Sequence, residues 1–305
     1  VSTAQLQSVF LSAFLQGFAY AFMVLGVYLA FRVLDFPDLT VDGSLTLGAA
    51  VAATLMAGGR SPFLATAAGV GAGLVAGAAT GSLHMVLKSR DGDATNYGPK
   101  LLAGILVMTA LYTVNLRVMG GSNVSLLGVS GVFDKIGKVF GVTMTGWYLV
   151  IGLGALVLVV KYGLDWFLHT EFGLCLRATG DNEQMIRSTG TNTDLMRVVG
   201  LSLANGLVAL SGALVAQWQG FSDVGMGIGT IVAGLASVII GEVLFGARSV
   251  GWVLFSVIGG SVVYRLLIAV SLQLGIGPND IKALTAVLVV VALAVPTVRK
   301  MVVRA

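Results

Sequence analysis

Charge is what this sequence has least of. Only 10% of its 305 residues are Asp, Glu, Lys or Arg, while 56% are hydrophobic and the mean hydropathy is +0.94. A water-soluble domain of that composition would expose apolar patches far larger than soluble monomers carry, so the chain is read as an all-α polytopic membrane protein. Cysteine is nearly absent too: Cys175 stands alone, which rules out an internal disulfide and reads as a small packing residue near a helix end. The two histidines, His84 and His169, lie far apart without clustered carboxylates, so no metal site is expected. The chain has no G-x-x-x-x-G-K-[ST] phosphate loop and no G-x-S-x-G nucleophile elbow. Any ATP hydrolysis must therefore come from another chain, and no enzyme of its own is visible. The net charge of +4 is spread over loops and tail, which reports membrane topology and not nucleic-acid binding. No basic region precedes the first apolar run, so no cleavable signal peptide is expected.

What is abundant is glycine, 42 residues of it, as suits close helix packing in lipid and broken helices that line a cavity. Apolar runs long enough to span cover residues 9–31, 62–87, 98–118, 147–169, 198–218, 250–272 and 281–298. Two more are short. One begins near Asp42 or Ser44, after the irregular LDFPDLTVDGS, and ends by Gly58-Gly59; the other, 230–245, follows QGFSDVGMGIG. Pro37 and Gly43 forbid a continuous helix through the first of these turns. About eight or nine segments result, two of them broken or short. The basic residues Lys88, Arg90, Lys100, Arg248, Arg299, Lys300 and Arg304 mark the cytosolic side, and counting back puts the N-terminus outside. An N-inside arrangement with a re-entrant segment is the alternative, since Arg60, Arg117, Lys135 and Lys138 fall on the outside.

The two halves share a plan: a helix, an Asp-containing turn, a short apolar piece, a glycine-rich helix, a Gly-Pro turn (YGPK; IGPN) and a last helix. One half runs opposite to the other, an inverted repeat of the kind found in transporters. The single permease domain 1–305 then divides into a half-repeat 1–118, an external loop 119–145, a connecting helix 146–170, a cytoplasmic coupling segment 171–193 and a second half-repeat 194–305. In the external loop, Val132, Phe133, Ile136, Val139 and Phe140 against Asp134, Lys135 and Lys138 describe an amphipathic helix, lying on the outer leaflet or touching a binding protein.

The longest polar interval between spans is 171–193, EFGLCLRATGDNEQMIRSTGTNT. Asp181 is expected to cap a helix of roughly two turns, with Gln184 in the partner position of a capping box and Gly190 as its C-terminal stop. Met185, Ile186 and Thr189 would share one side and Asn182, Glu183 and Arg187 another. Such a two-sided knob on the cytosolic side meets a partner.

The run GFAYAFMVLGVYLAFRVLDFPDLTVDGSLTLGAA, the knob continuing into LRATGDNEQMIRSTGTNTDLMRVVGLSLANGLVALSGALVAQWQG, and AGLASVIIGEVLFG closely resemble permease subunits of bacterial ABC importers, the branched-chain amino acid and ribose permease family. The resemblance covers almost the whole chain. LDFPDLTVDGS and the Tyr264-Arg265 helix look most like the branch that imports aromatic or hydrophobic amino acids. What this implies is a homodimer of permeases in the bacterial inner membrane, two cytoplasmic ATPase subunits carrying ATP and Mg, an extracytoplasmic substrate-binding protein, and no cofactor on this chain. The ATPase-coupling residues would be Arg177, Asp181, Glu183, Met185, Ile186, Arg187, Gly190, Asn192 and Thr193. An ion-coupled secondary transporter is the alternative from another class.

For the translocation path the candidates are polar residues in or near the apolar slab. Asp38, Thr40, Asp42 and Ser44 sit where a half-helix begins, either as plain caps or lining a path whose free N–H groups meet a carboxylate. Asn205 and Gln217 are interhelical glue or path-lining. Lys161 and Asp165 snorkel or pair. Glu242, in an apolar piece, must find a partner or water, and Arg265, about 16 residues into its helix, faces a cost of about 2.5–3.5 kcal/mol if left to lipid. Asp223 is its expected partner, in a structural pair or beside an arginine that guides a solute's carboxylate.

Overall fold

A computed structural model describes residues 3–91, 97–140 and 146–275, with isolated positions beyond. The helix expected over 281–298 and the basic tail fall largely outside the described residues, as does 141–145 of the loop. Helix α1 (Thr3–Tyr28) runs on through a π-helical turn, Leu29–Val33, and ends where Asp35 takes a left-handed backbone with φ of +48°. Pro37 follows; it has no N–H to continue a helix and forces its predecessor toward extended backbone, so the break at 34–39 is local chemistry. Then come α2 (Thr40–Ala57), α3 (Pro62–Asp91) and α4 (Tyr97–Met119). Proline at the first position of α3 removes an N–H that has no helical partner anyway.

A strand β1 (Asn123–Ser125) and the short α5 (Val132–Phe140) lead to α6 (Trp147–His169), α7 (Glu171–Asp181) and α8 (Glu183–Ser188). Next are α9 (Thr193–Gln219), β2 (Phe221–Asp223), α10 (Thr230–Phe245) and α11 (Val250–Gln273). Seven of these helices are long and apolar enough to cross a membrane, and α10 is a shorter apolar one. The fold is all-α and polytopic, as its composition demands. The one ladder among the described residues, β1 antiparallel to β2 with Asn123 opposite Asp223, was not foreseen.

Helices α1, α2 and α9 form the interior: 61%, 78% and 67% of their apolar windows are buried, against 22% for α4 and 28% for α6. Lipid is as apolar as leucine, so what selects the interior helices is close packing and polar contact, not hydrophobicity alone. Gly48 of α2 lies on the backbone of Ala209, and Gly212 of α9 on that of Leu45, where any Cβ would collide. Close glycine packing thus acts within the protomer. On α4 and α6, Tyr112, Ile151 and Trp166 turn outward.

Candidate functional site

Two polar clusters stand out, one where the broken segments meet and one at the end that carries α7 and α8.

At the break, Asp38 is fully buried. One carboxylate oxygen accepts from Thr40 N (2.9 Å), capping the first turn of α2, and the other accepts from Asn205 Nδ2 (2.6 Å). Asn205 Oδ1 in turn accepts from Ser44 Oγ (2.6 Å), and the Thr40 and Thr80 hydroxyls lie 2.8 Å apart. This chain of bonds ties α2, α3 and α9 around the break. Asp42 reaches the opposite half: its carboxylate accepts from Gly229 N and Ile231 N, both at 2.8 Å, and from Thr230 Oγ1 at 3.1 Å. It is therefore the cap of α10, which has no local side-chain cap, 187 residues downstream. Gly227 lies against the Asp42 carbonyl, an approach no side chain allows.

These contacts bear on the capping alternative. Asp38 accepts from one N–H at the start of α2, that of Thr40, and Asp42 accepts from two at the start of α10. Each partner comes from far along the chain or from a turn, so no local capping signal announced it.

The remaining path candidates are held in place individually. Gln217 donates to Thr66 Oγ1 (2.8 Å) and accepts from Val132 N (2.9 Å), clasping α9 to α3 and α5. Val132 and Phe133 of α5 pack inward onto the helices; the Val139 and Phe140 side chains lie outside the described residues. Glu242 pairs with Arg32, and Lys161 with Asp165 at 3.4 Å. The expected Arg265 and Asp223 pair does not form. Asp223 instead closes its own turn, accepting from Gly225 N (2.7 Å), while the Arg265 guanidinium lies 3.7 Å from the centre of the Tyr20 ring. The ladder, with Asp223 opposite Asn123, holds that carboxylate at its own turn. A groove of about 600 Å³ between α3 and α4 is lined by apolar side chains alone and includes none of these residues.

At the other end, the knob is two helices and not one. Thr170 caps α7, accepting from Gly173 N (3.2 Å). Asp181 is the last residue of α7, and the cap of α8 is Asn182, in extended backbone with its Oδ1 accepting from Met185 N (3.0 Å). That shifts the helix frame by one, so Gln184 is not in a capping box. Gly190 does end the segment, with φ of +88°. Asn192 caps α9 through Leu195 N (3.1 Å), which starts that helix at Thr193, ahead of its apolar run.

Glu183 is bonded to its own bundle. Arg197 grips it with two bonds, 2.9 and 2.7 Å, Lys88 pairs with it, and Thr193 Oγ1 donates at 3.2 Å. Burial alone would raise its carboxyl, but Lys88 and Arg197 together hold it below the ordinary glutamate value. Asp194 takes Arg187 at 2.5 Å and Lys88 at 3.4 Å. Lys88, Asp194 and Arg197 were missed in the sequence because each reads as an ordinary charge at the end of a span. Two cations, Lys88 and Arg197, at span ends on the side that carries Glu183 were the available signal. Met185 is 62% exposed, Ile186 half-buried, and Arg177 sits half-buried on α7.

The architecture is that of a membrane permease: a tightly packed polytopic bundle with discontinuous segments at its centre and a structured knob at one end. The model of the branched-chain amino acid transport system permease component matches residues 9–294, and the chain belongs to that family. It is 41% identical to a tyrosine transport system permease protein of Clostridioides difficile over 284 residues, 93% of this chain and 90% of that one. An uncharacterised protein of Rickettsia prowazekii is 31% identical, covering 89% and 92% of the two chains. The ribose import permease protein of Escherichia coli K12 is 29% identical over 67% of this chain and 60% of its own. No solved structure matches it. The protein is thus the permease subunit of an ABC importer, a transport component and not an enzyme, and a multi-pass protein of the bacterial inner membrane. Membership of that family implies ATPase and binding-protein partners.

Proposed function

We propose that this chain forms the translocation path for a small aromatic or hydrophobic amino acid, and that α8 docks into the ATPase subunit. The observation that carries the docking reading is the contrast within one short helix: Met185 stands exposed, while Glu183, two residues earlier, is fastened to α3 and α9. A push on the tip therefore reaches two spanning helices. Helix α9 in turn holds Asn205, which binds Asp38 at the break, so tip and break share one rigid element. In this reading the knob lies in the cytosol and the β1–β2 ladder outside, in line with the basic ends of the spans.

The coupling surface comprises Met185 and Ile186, set by Asn182 and Gly190 and backed by Arg177, Asp181, Glu183, Arg187, Asn192 and Thr193. The path follows the break at Asp38, Thr40, Asp42, Ser44 and Asn205. The halves 1–118 and 194–305 are read as inverted repeats, and two permease copies as the working unit. ATP and Mg belong to the ATPase partner. The substrate reading leans on the relative named for tyrosine transport.

The test is reconstitution of the chain with its ATPase and binding protein in proteoliposomes. Vanadate-sensitive uptake of L-tyrosine or L-phenylalanine is expected, with ribose not taken up. Uptake of ribose and of no amino acid would overturn the substrate reading.

A further inference from the structure

Resting on that reading, we propose that Arg265, backed by Tyr20, is an oxyanion-binding subsite on the path and takes the carboxylate of the transported amino acid. At the break Thr40 N already donates to Asp38, and Gly229 N and Ile231 N to Asp42, so an incoming carboxylate meets helix ends that already face a carboxylate. A cation is needed elsewhere. Arg32 has Glu242, Lys100 has Asp35 and Lys161 has Asp165. Arg265 has none: among the described residues no carboxylate pairs with it and no acceptor takes its N–H groups, while its flat face rests on Tyr20. Stacking on a ring satisfies the face of a guanidinium and leaves its edge of donors free, the geometry that receives a carboxylate through two parallel bonds.

Its position fits the path. Arg265 is the sixteenth residue of the 24-residue α11, well short of either end. Gly17 of α1 lies on Val262 of α11, and Ser261 Oγ donates to Gly17 O at 2.8 Å. The chains run in opposite senses there, so Tyr20 and Arg265 lie one turn to either side of that contact. They meet only because each side chain leans toward its own helix N-terminus, as helical side chains do. The guanidinium therefore points back toward the middle of the slab, away from the nearer headgroups. On α1, Met23 and Val27 pack against Gly234 of α10, which puts Tyr20 at about the level where α10 begins. Half-buried Arg265 thus lies at about the depth at which the broken segment starts.

The shared chemistry is oxyanion binding, and a lipid phosphate is the other source. The chain's only cysteine makes a direct test possible. In a Cys175→Ala background, Arg265→Cys is reconstituted with cysteine-free partners. We expect at least tenfold slower L-phenylalanine uptake with ATPase stimulation by the binding protein retained. Aminoethyl methanethiosulfonate, which restores a cation, should recover uptake several-fold, and the sulfonatoethyl reagent should not. On the wild-type chain, L-phenylalanine should slow phenylglyoxal labelling of Arg265, read by peptide mass spectrometry, whereas phenethylamine, the same ring without the carboxylate, should leave it unchanged. If the wild-type importer takes up no aromatic amino acid, the substrate reading fails alone, and slower labelling in acetate than in chloride of equal ionic strength keeps the subsite. Labelling slowed only by anionic phospholipid assigns the arginine to lipid and overturns the proposal, as would full uptake in Arg265→Leu or equal labelling in every solute.

Discussion

The break and the knob are both polar clusters that hold distant parts of the chain together, yet they use opposite means. At the break, two aspartates are satisfied by backbone N–H groups, a hydroxyl and an asparagine, and among the described residues no cation is bonded to either. At the knob, carboxylates are satisfied by whole charges: Glu183 by Lys88 and Arg197, Asp194 by Arg187 and Lys88. The difference follows from their surroundings. Inside the slab a helix N-terminus supplies partial positive charge without importing a second costly ion, whereas near water the penalty for full charges is small enough that ion pairs tie helices firmly. It also suggests different duties, the break being a joint between two discontinuous segments and the knob a rigid handle.

Mutation can break each means separately. The largest effect is expected from Glu183→Ala, which leaves Lys88 and Arg197 facing each other with Glu183's charge gone. Removing one partner of a nearly buried pair costs about 3–5 kcal/mol, so thermal unfolding in detergent should fall well below that of the wild type. Asp42→Ala comes next. It strips the cap from α10 and leaves two N–H groups without their acceptor, while the Thr230 hydroxyl keeps Gly227 O, at about 2–3 kcal/mol, and uptake should fall more steeply than stability. Ser44→Ala removes one donor to Asn205 and should cost about 1 kcal/mol, measured the same way.

Acid sharpens the contrast further. Because the Glu183 carboxyl sits below its ordinary value, its contribution is present in full above the unfolded glutamate pKa, near 4.5, and is lost as pH falls through the folded value. Limited proteolysis of the knob should therefore be flat from pH 8 to pH 5 and accelerate only in stronger acid. A knob that loosens between pH 7 and 6 would contradict the ion-pair account.

Much of the bundle was legible because a membrane span needs only length and apolarity, and 62–87 or 147–169 offer both. The break at LDFPDL was legible because proline acts locally. What escaped were bonds across the chain. Asp42 looks like a cap for the helix it sits in and in fact caps one 187 residues away; Glu183 looks like a surface charge and is held by Lys88, 95 residues back. The one-residue frame error at Asp181 arose because Asp and Asn are equally good caps, and only the extended backbone at Asn182 decides between them. Arg265 was recognised as costly but given the wrong neighbour, since the face of a guanidinium can rest on an aromatic ring, a contact that leaves no charge pattern to read.

The central claim is that an exposed tip on a rigidly fastened helix carries the ATPase stroke into the bundle, and Met185→Asp tests it most directly. Met185 touches solvent and not the core, so stability should change by less than about 0.5 kcal/mol. In proteoliposomes holding the ATPase and binding protein, the account predicts an intact, inserted permease whose ATP hydrolysis no longer drives uptake. Wild-type, ligand-stimulated uptake by this variant would contradict it.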